Sequence, residues 1–241
     1  MKTIGLIGGM SWESSRVYYE LLNEKVREEL GGFHSCKCIL VSVDFAEVEH
    51  WQRTENWLKL DNMMAKAAMQ LEEAGSDIIL LCTNTMHRCS PAITSRIKVP
   101  FLHIAKATGE DILLKGLRRM SLLGTRYTME NNFYASYLED HFGIEVLVPD
   151  ASDRSVVHNI IYKELVLGKF KESSRRMLQD IIARQKQIGA QGVILGCTEL
   201  PMLVSEKDAP LPMFDTTKIH AEKAVAWALQ DSVGRSAGTI D

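Results

Sequence analysis

Apolar and polar positions fall into blocks along the chain, and the spacing within each block predicts its secondary structure. Residues 2–8 form an apolar run that stops at Gly8-Gly9 and read as a β-strand. Ser11 follows as an N-cap. Val17, Leu21, Leu22 and Val26 then recur at helical spacing up to a Gly31-Gly32 stop. Residues 38–43 read as a strand, 57–74 as a helix with apolar positions at Leu60, Met64, Ala67, Ala68 and Leu71, and 78–82 as the next strand. Further short apolar runs at 99–104, 120–123, 144–148 and 193–195 alternate with helical patterns at 105–117, 130–142, 154–167 and 171–188. A last helix, 216–229, follows Asp215 as its cap. Strands alternating with helices predict an α/β fold of parallel sheets with crossover helices.

One unit of this pattern occurs twice. Gly75 lies eight residues before Thr83, and Gly189 eight before Cys197; each glycine closes a helix and precedes an apolar strand with a small polar cluster at its end. In this register Cys197 aligns with Thr83, and aligning it with Cys82 requires a gap. The run 4–11 likewise resembles 121–128, with Gly8 matching Gly124. A period this long predicts two homologous α/β lobes rather than a solenoid. The expected division is 1–115 for the first lobe, completed by the C-terminal helix 216–230, and 116–215 for the second.

Composition narrows the partners. With 46% hydrophobic and 24% charged residues in 241, the chain has the make-up of a soluble globule, and its net charge of -3 provides no basic field for nucleic acid. No membrane span and no signal peptide are expected, since the first apolar run stops at Gly8-Gly9 and Glu13 and Arg16 follow. Five cysteines, an odd number without an export signal, point to a reducing cytoplasm and free thiols. Neither Cys36-Lys37-Cys38 nor the scattered histidines have metal-ligand spacing, so no metal is expected.

In open α/β sheets the ligand crevice lies beyond the carboxyl ends of the strands. Gly8-Gly9-Met10, Thr83-Asn84-Thr85, Gly124-Thr125 and Cys197-Thr198-Glu199 all fall there. Gly8-Gly9 suits either a tight βα turn or amide donors to an anion, and it lacks a dinucleotide fingerprint. Cys197, between small Gly196 and polar Thr198-Glu199, is the candidate reactive thiol; nearby amides and a following helix turn are expected to lower its pKa. Cys82 follows Leu80-Leu81 and, pointing to the other face, belongs to the core. Glu199 is expected to orient Cys197 or cap the turn that Pro201 opens, His87 to be a capping group, and Gln52 to lie in a loop after the second strand.

Taken together, residues 4–14, Asn84-Thr85-Met86-His87, Leu123-Gly124-Thr125 with Thr128, and Gly196-Cys197-Thr198-Glu199-Leu200 make the chain resemble the aspartate/glutamate racemase family over essentially its whole length. That resemblance implies two Rossmann-like lobes related by a pseudo-twofold axis, with a site in the cleft between them that needs no cofactor. It also implies two cysteines flanking the substrate Cα. Cys197 matches the second, while the first is replaced by Thr83. By similarity Met10, Gln52, Asn84, Thr85, Thr125, Thr128, Thr198 and Glu199 line the pocket; Lys163 and Glu164 read as a solvated helix face. The implied activity is racemisation of small amino acids, aspartate and glutamate first; a homodimer is expected on the general precedent of twofold oligomers. Rivals to that activity are a broad-specificity racemase taking homoserine or other uncharged amino acids, a one-cysteine decarboxylase or isomerase, and a non-catalytic binding module.

Overall fold

Two parallel sheets carry the fold in the computed structural model, which describes residues 1–230. The described residues divide into two units: one takes 1–82, 89–103 and 220–230, the other Thr83–Arg88 and Ile104–Ile219.

In the first unit, β1 (Ile4–Gly8), α1 (Trp12–Leu30), β2 (Cys38–Ser42), α2 (Phe45–Arg53), α3 (Trp57–Glu73), β3 (Ile78–Leu81) and α4 (Ser90–Thr94) build a sheet of order β2-β1-β3. The central strand β1 and its neighbour β3 are buried throughout, as parallel strands covered on both faces must be. Ile4 and Leu6 pack with Tyr18, Leu22 and Val26 of α1 and with Ala221, Ala224 and Val225 from the C-terminal helix. Ser11 caps α1 by accepting from Ser14 N–H.

Where the pattern predicts a loop around Gln52, the chain forms α2. Asp44 caps it by accepting from Ala46 N–H, and Val48 and Gln52, four apart, make its buried face. Where a strand is predicted at 99–104, Phe101 makes one parallel bridge to Ile79 and the ladder stops. Pro100 has no N–H to extend it, and a helix begins at Ile104.

The second unit contains α5 (Ile104–Leu114), β4 (Arg119–Gly124), α6 (Arg126–Glu130), α7 (Phe133–Phe142), β5 (Glu145–Leu147), α8 (Ala151–Lys163), α9 (Glu172–Gln187), β6 (Gly192–Gly196) and β7 (Met213–Asp215). Its sheet order is β5-β4-β6-β7, all parallel. α10 (Thr216–Leu229) begins here and continues in the first unit. The helix predicted at 130–142 starts later, at Phe133, because Asn131 is extended and separates it from the short, unpredicted α6. The one at 154–167 starts earlier, capped by Asp150, and its α-helical part ends before Glu164. α5 belongs to this unit rather than to a first lobe ending at 115, since Ile104, Ala105 and Ile112 pack with Met120, Leu122 and Tyr134.

The repeat is visible in the backbone. Gly75 and Gly189 adopt φ of 91° and 96°, a region that favours glycine. Each closes its helix in the same way: Gly75 N–H donates to Glu72 and Ser76 to Leu71, as Gly189 does to Lys186 and Ala190 to Gln185. The strands that follow pair equivalently, Leu81 with Ile7 and Leu195 with Leu123. Thr83 and Cys197 each lie two residues past these equivalently paired leucines.

Candidate functional site

Four polar segments meet the chemistry of the second unit: the turn after β4, the turn after β6, the β7–α10 junction, and the inserted stretch Thr83–Arg88, which belongs to this unit and opens a 3-10 turn at Thr85–Cys89. Gly124 and Gly196 are directly paired at the strand ends; a Cβ on Gly124 would press on Thr128, and one on Gly196 would press on Leu122 and touch the Thr128 methyl. Glycine here lets the Thr128 methyl lie against the sheet. Its hydroxyl then joins those of Thr85 and Thr125: Thr85 to Thr128 is 3.0 Å, Thr85 to Thr125 3.2 Å and Thr125 to Thr128 3.2 Å. Thr125 also caps α6, accepting from Thr128 N–H. Three convergent hydroxyls can turn their protons toward one anionic group.

Cys197 lies directly beyond β6 and is half-buried. Its thiol donates to Glu199 Oε2 at 2.9 Å, and the Thr198 hydroxyl donates to the same oxygen at 2.6 Å. Glu199 thus orients the thiol, one of the two roles open to it in the sequence. The expected depression of the Cys197 pKa is overturned. Burial is the largest influence and pushes the thiol well up; the Glu199 charge and hydrogen bond push the same way, while the Glu199 and Thr198 amides lower it only in part. The helix expected to help is a three-residue 3-10 turn, Leu200–Met202, too short for a macrodipole.

Thr83 is half-buried, and its backbone is held by His87. The His87 Nε2 accepts from Ile104 N–H at 3.1 Å, so Nδ1 carries the proton and donates to the Thr83 carbonyl at 2.8 Å. The capping role expected of His87 is therefore exercised at two backbone groups. Asn84, 4% exposed, donates through Nδ2 to the Thr216 hydroxyl at 3.0 Å, and Thr216 donates to the Leu195 carbonyl at 2.9 Å.

Met10 and Gln52 lie in the first unit, where both are buried; Gln52 is in the last turn of α2 and is no solvated loop residue. The Gly9 N–H is taken by Ser15 Oγ at 2.8 Å, and Gly9 at φ 90° has Val43 where a Cβ would be, so Gly8-Gly9 serves as the tight turn. Cys82 is 1% exposed with its pKa raised by burial, as its place in the core requires. Lys163 is exposed, and Glu164 binds Lys171 and Ser174, which holds its carboxyl below the usual range. Thr216 and Thr217 escape sequence reasoning. The signal available was Asp215-Thr216-Thr217, a small polar cluster after the apolar Met213-Phe214, matching the other strand ends.

A thiol, a carboxylate and clustered hydroxyls thus stand at the strand ends of a repeated α/β unit, the layout of an α/β ligand-binding protein. The family follows from comparison. Residues 7–224 match the model of the Asp/Glu/hydantoin racemase family, and the chain belongs to that family. A solved candidate Asp/Glu racemase from Yersinia pestis is 48% identical, with TM-score 0.91, over 95% of this chain and 100% of that one. An aspartate racemase homologue from Pyrococcus horikoshii OT3 is 35% identical, TM-score 0.85, with the same coverage. The broad-specificity amino-acid racemase RacX of Bacillus subtilis is 26% identical over 66% of this chain and 68% of its own.

Proposed function

We propose that the protein is a cofactor-independent amino-acid racemase, with aspartate and glutamate as its first substrates, that inverts Cα by removing a proton from one face and returning one to the other. The observation that carries this reading is the Cys197 thiol held 2.9 Å from the Glu199 carboxylate at the end of β6, in a chain of this family.

Burial keeps Cys197 protonated at rest, which makes it a ready proton donor. To act as a base it must first lose that proton, and Glu199 Oε2 stands where the proton would go. The thiolate then takes the α-proton, and the carbanion is reprotonated from the opposite face by a water held at the Thr83 hydroxyl; the hydroxide left behind takes the proton that Glu199 received, which closes the cycle. Thr83, the register equivalent of Cys197, is the weaker partner, because an aliphatic hydroxyl is a poor base where a thiol is a tunable one. Thr85, Thr125 and Thr128 receive the α-carboxylate, and Asn84 and Thr198 complete the pocket. Free enantiomers have equal energy in water, so kcat/KM is equal in the two directions however unequal the two faces are.

A second reading, broad specificity, is favoured by Arg53. This arginine, beside Gln52, is 65% exposed at its side chain and paired with Glu49 at 3.5 Å, so its charge is already partly met on its own helix. The test of both readings is an amino-acid panel in deuterated buffer, followed for Cα exchange and for change of chirality. Exchange with inversion for aspartate or glutamate supports the first, preference for uncharged amino acids the second. Exchange or decarboxylation without inversion overturns the racemase reading. The homodimer and the cytoplasmic location belong to the same proposal, and light scattering measures the first.

A further inference from the structure

The Asn84 side chain is buried with a direction that its neighbours dictate. A carbonyl only accepts, so the single proton of the Thr216 hydroxyl is committed to Leu195, 2.9 Å away. What the hydroxyl then offers Asn84 is a lone pair, and Asn84 must meet it with its amide N–H, at 3.0 Å. The reversed amide would set two acceptors against each other with no proton between them. Asn84 Oδ1 is consequently turned away from Thr216, and it is buried without a hydrogen-bond partner. The Thr217 hydroxyl, one residue further on and 1% exposed, is also buried without one. Buried acceptors in native proteins are paired in the great majority of cases, and an exception calls for something that completes it.

We infer that Thr216 is a positioning residue: it locks the Asn84 amide with its oxygen toward the ligand, and this oxygen selects the α-ammonium of an amino acid over the same carbon skeleton without one. The inference rests on the amino-acid reading above and assigns its specificity for the amino group. An oxygen acceptor repels a carboxylate and rewards a cationic donor. The α-carboxylate is left to the hydroxyls of Thr85, Thr125 and Thr128.

The test is calorimetric binding of aspartate and of succinate, its des-amino counterpart, to the wild type, Thr216→Ser and Thr216→Val. If the panel ranks another amino acid first, that one and its own des-amino acid are used. A charged hydrogen bond predicts that the wild type prefers the amino acid by about tenfold or more. Thr216→Ser, which keeps the hydroxyl, should hold that preference. Thr216→Val should lose most of it by weakening the amino acid alone, with KM rising more than kcat falls. Retention of the full preference in Thr216→Val, or equal weakening of both ligands, overturns the positioning role. Should Thr216→Val fail to fold, a ligand-bound structure of the wild type decides: Asn84 Oδ1 on the ammonium supports the inference, and Nδ2 on the carboxylate overturns it. A wild type that binds no amino acid and exchanges no Cα proton brings down the functional reading as well, whereas in a wild type that does both, a negative result counts against Thr216 alone.

Discussion

His220 is fully buried in α10, and its two ring nitrogens have fixed roles. Nε2 lies 2.9 Å from the Leu102 carbonyl, which only accepts, so Nε2 carries the proton; Nδ1 then accepts from the Tyr18 hydroxyl at 2.8 Å. Burial lowers its pKa from 6.5 to about 4, against the opposing influence of the Leu102 bond. A depressed folded-state pKa means that the unfolded chain binds the proton first as pH falls. The stability tied to the neutral ring is complete above pH 6.5 and is lost progressively down to about pH 4. At 1.36 kcal/mol per pH unit, that gap corresponds to about 3 kcal/mol, a large share of the 5–15 kcal/mol typical of a domain. Urea unfolding of the wild type and of His220→Gln at pH 7, 5.5 and 4.5 measures it. Glutamine can donate to Leu102 and accept from Tyr18 without titrating, so its stability should fall with acid by clearly less than that of the wild type. Parallel pH dependence in the two proteins would refute the assignment of a neutral, buried His220.

Replacing Glu199 by Gln removes the charge that raises the Cys197 pKa and leaves only a neutral amide acceptor, so the pH midpoint of Cys197 alkylation by iodoacetamide should move down; an unchanged or higher midpoint contradicts the coupling. Cys82→Ser, in the core, should cost ~1–3 kcal/mol in denaturant unfolding if the hydroxyl finds no partner, and leave turnover per folded molecule unchanged. Loss of turnover at unchanged stability would mean that Cys82 and not Thr83 faces the chemistry. With one strong base, solvent deuterium should enter one enantiomer faster than its mirror image, and Thr83→Cys should speed the slower one. Equal exchange of both enantiomers, unaltered by the substitution, argues against an asymmetric pair.

Most of the strand ends were legible because their signals are local. Gly75 and Gly189 announce a helix stop and a strand, and the step to Thr83 and Cys197 is a matter of counting. The burial of Cys82 also follows from alternation along a strand. What escaped depends on contacts distant in sequence or on small local balances. α2 rests on one cap and two buried positions, too few to stand out as a period. β7 has three residues, and the meaning of Thr216 appears only when Leu195 and Asn84 are brought against it. The acidity of Cys197 went the other way because desolvation outweighs two amide dipoles, a balance that a Gly-Cys-Thr-Glu string does not display.

The central claim is that Cys197 moves the α-proton. Its most direct test is Cα deuterium wash-in, with chiral chromatography, for pure L- and pure D-aspartate in deuterated buffer, comparing the wild type with Cys197→Ser at matched folded concentration. The substitution changes little volume and replaces a tunable thiol by a poor base. The account predicts exchange and inversion from both enantiomers in the wild type, and loss of inversion in Cys197→Ser with the fold retained. Near-normal inversion in that variant would contradict it.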